Sequence, residues 1–260
     1  MDSDSTEALV AQVREATARG TPLRIVGGDT KRFYGRSVTG LLLETRGHSG
    51  IVSHDPAELV LTARGGTPLA EVEAQLASQG QRLPFEPPHF GAGATIGGAV
   101  ACGLAGPARA WAGALRDYVL GARVLTGDGR VLRFGGEVMK NVAGYDVARL
   151  MAGSLGILGV LLDVSLKVLP RPAAERTLAL EVDQAGALDR FAALGRSALP
   201  LSAGSWVGGR LYLRFEGCDA TLESVERRVG GEAITDADAF WTSLREQTHP
   251  FFAGTRPLWR

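Results

Sequence analysis

The sequence predicts an α+β fold in two parts, a larger one over residues 1–171 and a small α+β cap over residues 172–260. Three observations lead there. Segments with a two-residue apolar period alternate with segments of helical period along the chain. Pro170-Arg171-Pro172 breaks the run at a point where neither period continues. Beyond it, the order strand, helix, strand, strand, helix is that of a ferredoxin-like unit, here expected to be partial. At about 150 residues per domain, the length suits one large domain or two modest ones.

In the first part, Asp4 or Ser5 is placed to cap a helix with apolar residues Leu9, Val10 and Val13, which Gly20 ends. Residues 22–26 read as a short strand, followed directly by the loop Gly27-Gly28-Asp29-Thr30-Lys31. Residues 41–44 and 59–63 read as further strands. Thr67 suits a helix cap and Pro68 the first helical position, with Leu69, Val72 and Leu76 as the core stripe and Gly80 as the stop. A long loop rich in Pro and Gly covers residues 84–98; loops of that length without structure of their own are usually functional. Residues 118–126 and 131–134, joined by Gly127-Asp128-Gly129, form a hairpin. Asp146 caps a short helix through Leu150. Residues 160–169 form an alternating strand with Val160, Leu162, Val164, Leu166 and Val168 on one face.

In the second part, strands are expected over residues 177–182, 199–207 and 210–215. Helices are expected over residues 185–194, 220–229 and 237–245.

Composition narrows the function. Lys plus Arg and Asp plus Glu are both 28, so no bulk charge points to nucleic acid. The two cysteines, Cys102 and Cys218, stand in no paired motif, as suits free thiols in a reducing compartment. Neither they nor the four histidines have metal-ligand spacing, so no metal is expected. The polar, acidic start is not a signal peptide, and no apolar stretch is long enough to span a bilayer. A cytoplasmic protein is expected. The 35 glycines are dispersed, which implies many turns and close backbone approaches.

Three segments carry the chemistry. In Gly27, Gly28, Asp29, Thr30 and Lys31, right after a strand, glycines let several backbone N–H groups face one anion, with a hydroxyl and an ammonium alongside. Phe90-Gly91-Ala92-Gly93-Ala94-Thr95-Ile96-Gly97-Gly98 is small at nearly every position and leads into a helix, where unpaired N–H groups suit phosphate. The third is Met139-Lys140-Asn141-Val142-Ala143-Gly144-Tyr145-Asp146, followed by a turn in which Gly153, Gly156 and Gly159 bring the backbone close to something flat or bulky before Val160 opens a strand. Taken singly, the first segment reads better as a simple strand-to-helix turn, the second divides evenly between a phosphate loop and a packed helix–sheet junction, and the third reads also as a bend packed against the core. Rival phosphate motifs fail. The chain has no Gly-Lys pair for a P-loop, and Ile96 stands where Gly-x-Gly-x-x-Gly needs glycine. A Gly-x-Ser-x-Gly elbow is absent too.

In this order, the Gly-Gly-Asp-Thr-Lys loop, the Ala-Thr-Ile-Gly-Gly loop, Lys-Asn-x-x-Gly-Tyr-Asp and Gly-Ser-x-Gly-x-Leu-Gly-Val resemble the FAD domain of the FAD-linked oxidases, the PCMH-type (vanillyl-alcohol-oxidase) flavoproteins, over residues 9–171. The stretches 102–113 and 133–146 narrow the resemblance to the FAD-binding subunits of glycolate oxidase complexes. The resemblance implies a PCMH-type domain of two α/β lobes that binds FAD. Residues 27–31 and 91–98 would hold its pyrophosphate and ribityl region, and the turn at Gly153, Gly156, Gly159 and Val160 would lie along it. It further implies oxidation of glycolate or D-lactate by hydride or electron transfer. The implied partners are a second flavoprotein subunit and an iron–sulfur subunit, with any membrane association coming through that complex.

Three departures matter. Asp29 stands where covalent members carry histidine, so the FAD is expected to be non-covalent. Leu155 stands where catalytic members often carry Glu. Pro257-Leu258-Trp259-Arg260 reads as the start of another strand, so the cap is expected to be truncated.

A 2-hydroxy acid calls for a cation for its carboxylate and a base for its hydroxyl. Arg109, Lys140 and Arg214 are the candidate cations, and Tyr145 and Tyr212 the candidate polar partners, though a solvated charge or core-edge tyrosine is the commoner role for each. His89, between Pro88 and Phe90, reads as a loop contact, which leaves no convincing base. Two other functions stay open: a scaffolding subunit without an active flavin, and a stand-alone PCMH-type reductase fed by a nicotinamide donor.

Overall fold

In the computed structural model, residues 3–136 and 145–254 are described. The chain divides into two compact units, Met1–Leu104 with Ala114–Pro170, and Ala105–Gly113 with Arg171–Arg260.

The first unit opens with α1 (Thr6–Ala18), which buries Leu9, Val13 and Ala16 at helical spacing. Its first turn is held by Asp4, whose carboxylate accepts the Thr6 N–H. β1 (Leu23–Val26) and β2 (Leu41–Glu44) pair in parallel. Leu9 and Val13 of α1 meet Leu43 of β2 and Leu125, Val160 and Leu162 in one core cluster. β3 (Ile51–Asp55) and β4 (Val60–Arg64) follow, then α2 (Leu69–Ser78), which buries Leu69, Val72 and Leu76 completely. Pro68 is the cap of α2 and Thr67 lies one residue before it. The Thr67 hydroxyl binds the Gly50 and Arg64 carbonyls instead of closing the helix, so its expected capping role does not hold.

β5 (Gln81–Arg82) pairs with β9 (Leu169–Pro170). Between them come α3 (Ile96–Cys102), β6 (Val119–Leu125), β7 (Val131–Gly135), α5 (Val147–Leu150) and β8 (Val160–Lys167). The main sheet is antiparallel in the order β3-β4-β8-β6-β7.

β8 is the central strand, and it is buried on both faces where the sequence suggested one. Its second face is polar. Ser165 hydrogen-bonds Thr62, and Asp163 binds Arg123 at 2.7 Å and the buried His48 at 3.3 Å. Hydropathy alternation detects an apolar face and is blind to a buried layer whose polar groups satisfy one another.

α4 (Arg109–Ala112) belongs to the second unit, although the break at Pro170 had placed everything before it in the first. It packs on β11 (Leu201–Val207), where the bare backbone of Gly204 leaves room for Trp111. The rest of this unit is β10 (Ala174–Glu181), α6 (Gln184–Gly195), β12 (Arg210–Gly217), α7 (Asp219–Val229), β13 (Glu232–Ile234) and α8 (Asp238–Arg245). The sheet order is β11-β12-β10-β13, antiparallel throughout. β13, unforeseen in the sequence, supplies the fourth strand of the ferredoxin-like unit. Leu178, Leu180, Leu211, Leu213 and Phe215 form its core with Ala187, Leu222 and Val225 of the two flanking helices.

Candidate cofactor site

The first two loops and the turn over residues 153–160 come together in the first unit, around the C-terminal end of β1 and the two ends of α3, while residues 139–144 of the third segment lie outside the described residues. The first loop, directly after β1, lies against the second. A Cβ on Gly28 would fall on the Gly93 carbonyl, and one on Gly27 would stand 2.5 Å from the Thr95 hydroxyl. Backbone lies on backbone, and a side chain at Gly28 has no room. Among the described residues, no acceptor takes the backbone N–H groups of Gly28, Asp29 or Thr30. Asp29 is held at φ 55°, a conformation favoured by glycine and tolerated by Asp and Asn.

Two side chains of this loop reach back across the gap. The Thr30 hydroxyl and the Lys31 ammonium both donate to the His89 carbonyl, at 2.8 and 3.2 Å. Lys31 is 8% exposed, with its ammonium over the Phe90 ring. A buried cation thus stands beside unpaired N–H groups, an arrangement that fits a phosphate anion. His89 itself is tied to Glu73 at 3.0 Å through Nε2, a loop contact.

The second loop is pinned from behind. Ala94 accepts the Leu69 N–H, Ile96 donates to Thr67 and Gly97 donates to Gly65. A Cβ on Gly97 would stand 2.6 Å from the Gly65 carbonyl, so this glycine is needed where α3 crosses β4's end. Thr95, buried, caps α3 by accepting the Gly98 N–H.

The third segment closes on the far end of α3. Gly153 donates to Val100 and Leu155 to Ala101, and Gly103 touches the bare Cα of Gly153. Gly156 presses on Ile25 of β1, and Gly159 on the Leu125 carbonyl before Val160 enters β8. Leu155 is held at φ 53°. Cys102, at the end of α3, is partly buried, and that burial pushes its thiol up against the opposing pull of Lys31, so it stays protonated.

The substrate candidates are divided between the two units. Arg214 is 6% exposed in the second unit, its Nε donating to Ser202 and its guanidinium lying over Trp241. These contacts give Arg214 a structural role within its own unit. Tyr212 stacks on Phe240 at 4.2 Å in the same unit. Arg109 is exposed on α4. Tyr145 is 93% exposed. Lys140 lies outside the described residues. Sequence reading missed the roles of Gly65 and His89 in this site. Their contribution is a backbone carbonyl, which no side-chain pattern signals.

Residues 3–135 match the family model described as FAD binding domain. The chain is 51% identical over its full length to "Glycolate oxidase subunit GlcE" of Escherichia coli (strain K12), of which it covers 73%. It is 33% identical over 139 residues, 54% of the chain, to "Glycolate oxidase subunit GlcD" of Bacillus subtilis (strain 168), covering 29% of that protein. Among solved structures, alkyldihydroxyacetonephosphate synthase superposes with a TM-score of 0.71 at 17% identity. That match covers 93% of this chain and 52% of the synthase and shows a shared fold.

Proposed function

The chain belongs to the FAD binding domain family, with glycolate oxidase subunit GlcE among its relatives, and from that premise we propose that it is the FAD-binding subunit of a complex oxidising glycolate or a related 2-hydroxy acid such as D-lactate. The observation that carries the reading is the cradle formed by Gly27–Lys31 against Gly91–Gly98. The residues fit FAD: the backbone N–H groups of Gly28, Asp29 and Thr30 have no acceptor among the described residues, the buried Lys31 ammonium follows them directly, and Gly28 packs backbone to backbone on Gly93 to hold the two loops together.

Gly28, Asp29 and Thr30 would donate backbone N–H groups to the pyrophosphate, and Lys31 would neutralise part of its charge. Thr95 would hold the second loop in register through its cap. The turn with Gly153, Gly156, Gly159 and Val160 would run along the cofactor. Asp29 offers no imidazole for a covalent link, so the flavin is held non-covalently. When bound, FAD supplies the acceptor for the hydride of the hydroxy acid. Arg109, Lys140 and Arg214 remain the candidate cations for the substrate carboxylate, with Tyr145 and Tyr212 as candidate polar partners. The partners in this reading are a second flavoprotein subunit and an iron–sulfur subunit. No helix among the described residues is long and apolar enough to cross a membrane, which agrees with any membrane association coming through the complex.

Bleaching of bound flavin by glycolate or D-lactate tests this reading. Bleaching by the isolated chain makes it the catalytic subunit. Bleaching in the assembled complex only makes its flavin a relay, a reading favoured by Leu155 in the cofactor turn and by the engaged Arg214. No bleaching in either state leaves a scaffolding subunit, and bleaching by NADPH points to a stand-alone reductase.

A further inference from the structure

Of the fifteen exposed large hydrophobic residues in the described chain, six fall in two short segments of the first unit: Phe33, Tyr34 and Val38, and Leu155, Ile157 and Leu158. The segments are neighbours, since a Cβ on Gly35 would stand 3.1 Å from the Leu155 side chain. Phe33 is 61% exposed and rests its ring edge on Phe90, 5.2 Å between centroids. Ile157 is 84% exposed. The turn that bears it directs its glycines inward, Gly156 on Ile25 and Gly159 on Leu125, which leaves the aliphatic side chains between them turned outward. Soluble monomers rarely gather so many apolar side chains at one place without a partner to cover them.

The exposed charges of the first segment are the arginines Arg32 and Arg36, with Asp29 at its start paired to Arg24 and Arg32. Residues 30–43 hold Lys31, Arg32 and Arg36 and no carboxylate. Arg32 is widely exposed and reaches Asp29 at a loose 3.9 Å, a pair worth little in water. Aromatic residues and arginine are the types enriched in protein interfaces.

We propose that the patch formed by residues 32–38 and 155–158 is the surface on which this chain docks a second protein subunit, one presenting an apolar patch rimmed by carboxylates. The inference rests on the reading of the chain as a subunit of a glycolate-oxidising complex. It adds which face is used and what chemistry the partner must present. Salt weakens the encounter, because the arginine rim steers it, while the apolar centre holds the complex once formed.

The test is co-expression of the full chain with the second flavoprotein subunit and the iron–sulfur subunit of its own organism, for the wild type and for the triple variant Phe33→Ser, Arg36→Glu, Val38→Ser. All three side chains are exposed and none belongs to residues 27–31 or 91–98; Phe33 touches Phe90 beside them, so fold and flavin content are measured as internal controls. The inference expects the variant to keep its melting temperature and its FAD while its assembly weakens at least about tenfold, the scale on which interface anchors act. Assembly equal to the wild type overturns it. Loss of FAD in the variant assigns the patch to the cofactor and also overturns it. Unchanged assembly with lost binding to phosphatidylcholine–phosphatidylserine vesicles would replace the subunit by a lipid surface. A wild-type chain that joins neither subunit removes the subunit reading itself, and this inference with it.

Discussion

Gly28 and Gly93 lie back to back, so close that a methyl group on the first would occupy the carbonyl of the second. This contact brings the loop after β1 onto the loop before α3, where the N–H groups of residues 28–30 have no acceptor among the described residues. Gly28→Ala therefore cannot be accommodated by a rotamer change, because the obstacle is backbone. We expect a loss of about 2–4 kcal/mol of stability, the range of severe backbone clashes, and loss of bound flavin. Thermal melts with and without added FAD check this. A variant that keeps wild-type flavin content would show that the loops separate at little cost.

Lys31 is buried beside the cradle and donates to the His89 carbonyl. Lys31→Met keeps the stem and removes the charge. FAD affinity is expected to weaken by about 10- to 100-fold, the worth of one charge-assisted hydrogen bond. Titration of the apo-protein with FAD measures it. Riboflavin, which lacks phosphate, should bind equally to both forms, so an equal loss for riboflavin would point to a packing defect.

Arg214 separates a structural role from a substrate role. Its guanidinium lies over Trp241 and donates to Ser202. Arg214→Leu should cost about 2–4 kcal/mol, as buried hydrogen-bonded groups do, with the KM for glycolate unchanged. A raised KM at unchanged melting temperature would return Arg214 to the substrate site.

Asp4 ties the N-terminal segment to the main sheet. Hydrogen bonds from the Thr6 hydroxyl and backbone, with His48 and Arg123 nearby, hold its carboxyl at about 2 against an ordinary 3.8. A folded-state value below the unfolded one means that the stabilisation is present above the ordinary value. It is lost as pH falls from there towards 2. Because Asp4 is half exposed, its share is modest. Asp4→Asn should be slightly less stable than the wild type near neutrality, with the two curves converging in acid. A gap that stays constant with pH would contradict the assignment.

Much of this was legible in the sequence because it depends on short-range chemistry. The 3.6-residue stripe Leu69, Val72 and Leu76 is the buried face of α2, and Asp146 caps α5 as its position suggested. Glycine clustering marked the three loops, though which residues they touch is set by the fold. Gly28 meeting Gly93 spans 65 positions, and Gly97 meeting Gly65 spans 32, distances over which no local pattern operates. Arg214 looked like a free cation because sequence does not reveal that Ser202 and Trp241 face it. The strand β13 is three residues long and mostly exposed, too short to show a period.

The most direct measurement of the central claim is the visible absorption spectrum of the purified chain, recorded before and after acid precipitation. The account predicts flavin bands on the native protein, all of which pass into the supernatant as FAD. A colourless chain that takes up no added FAD would contradict it.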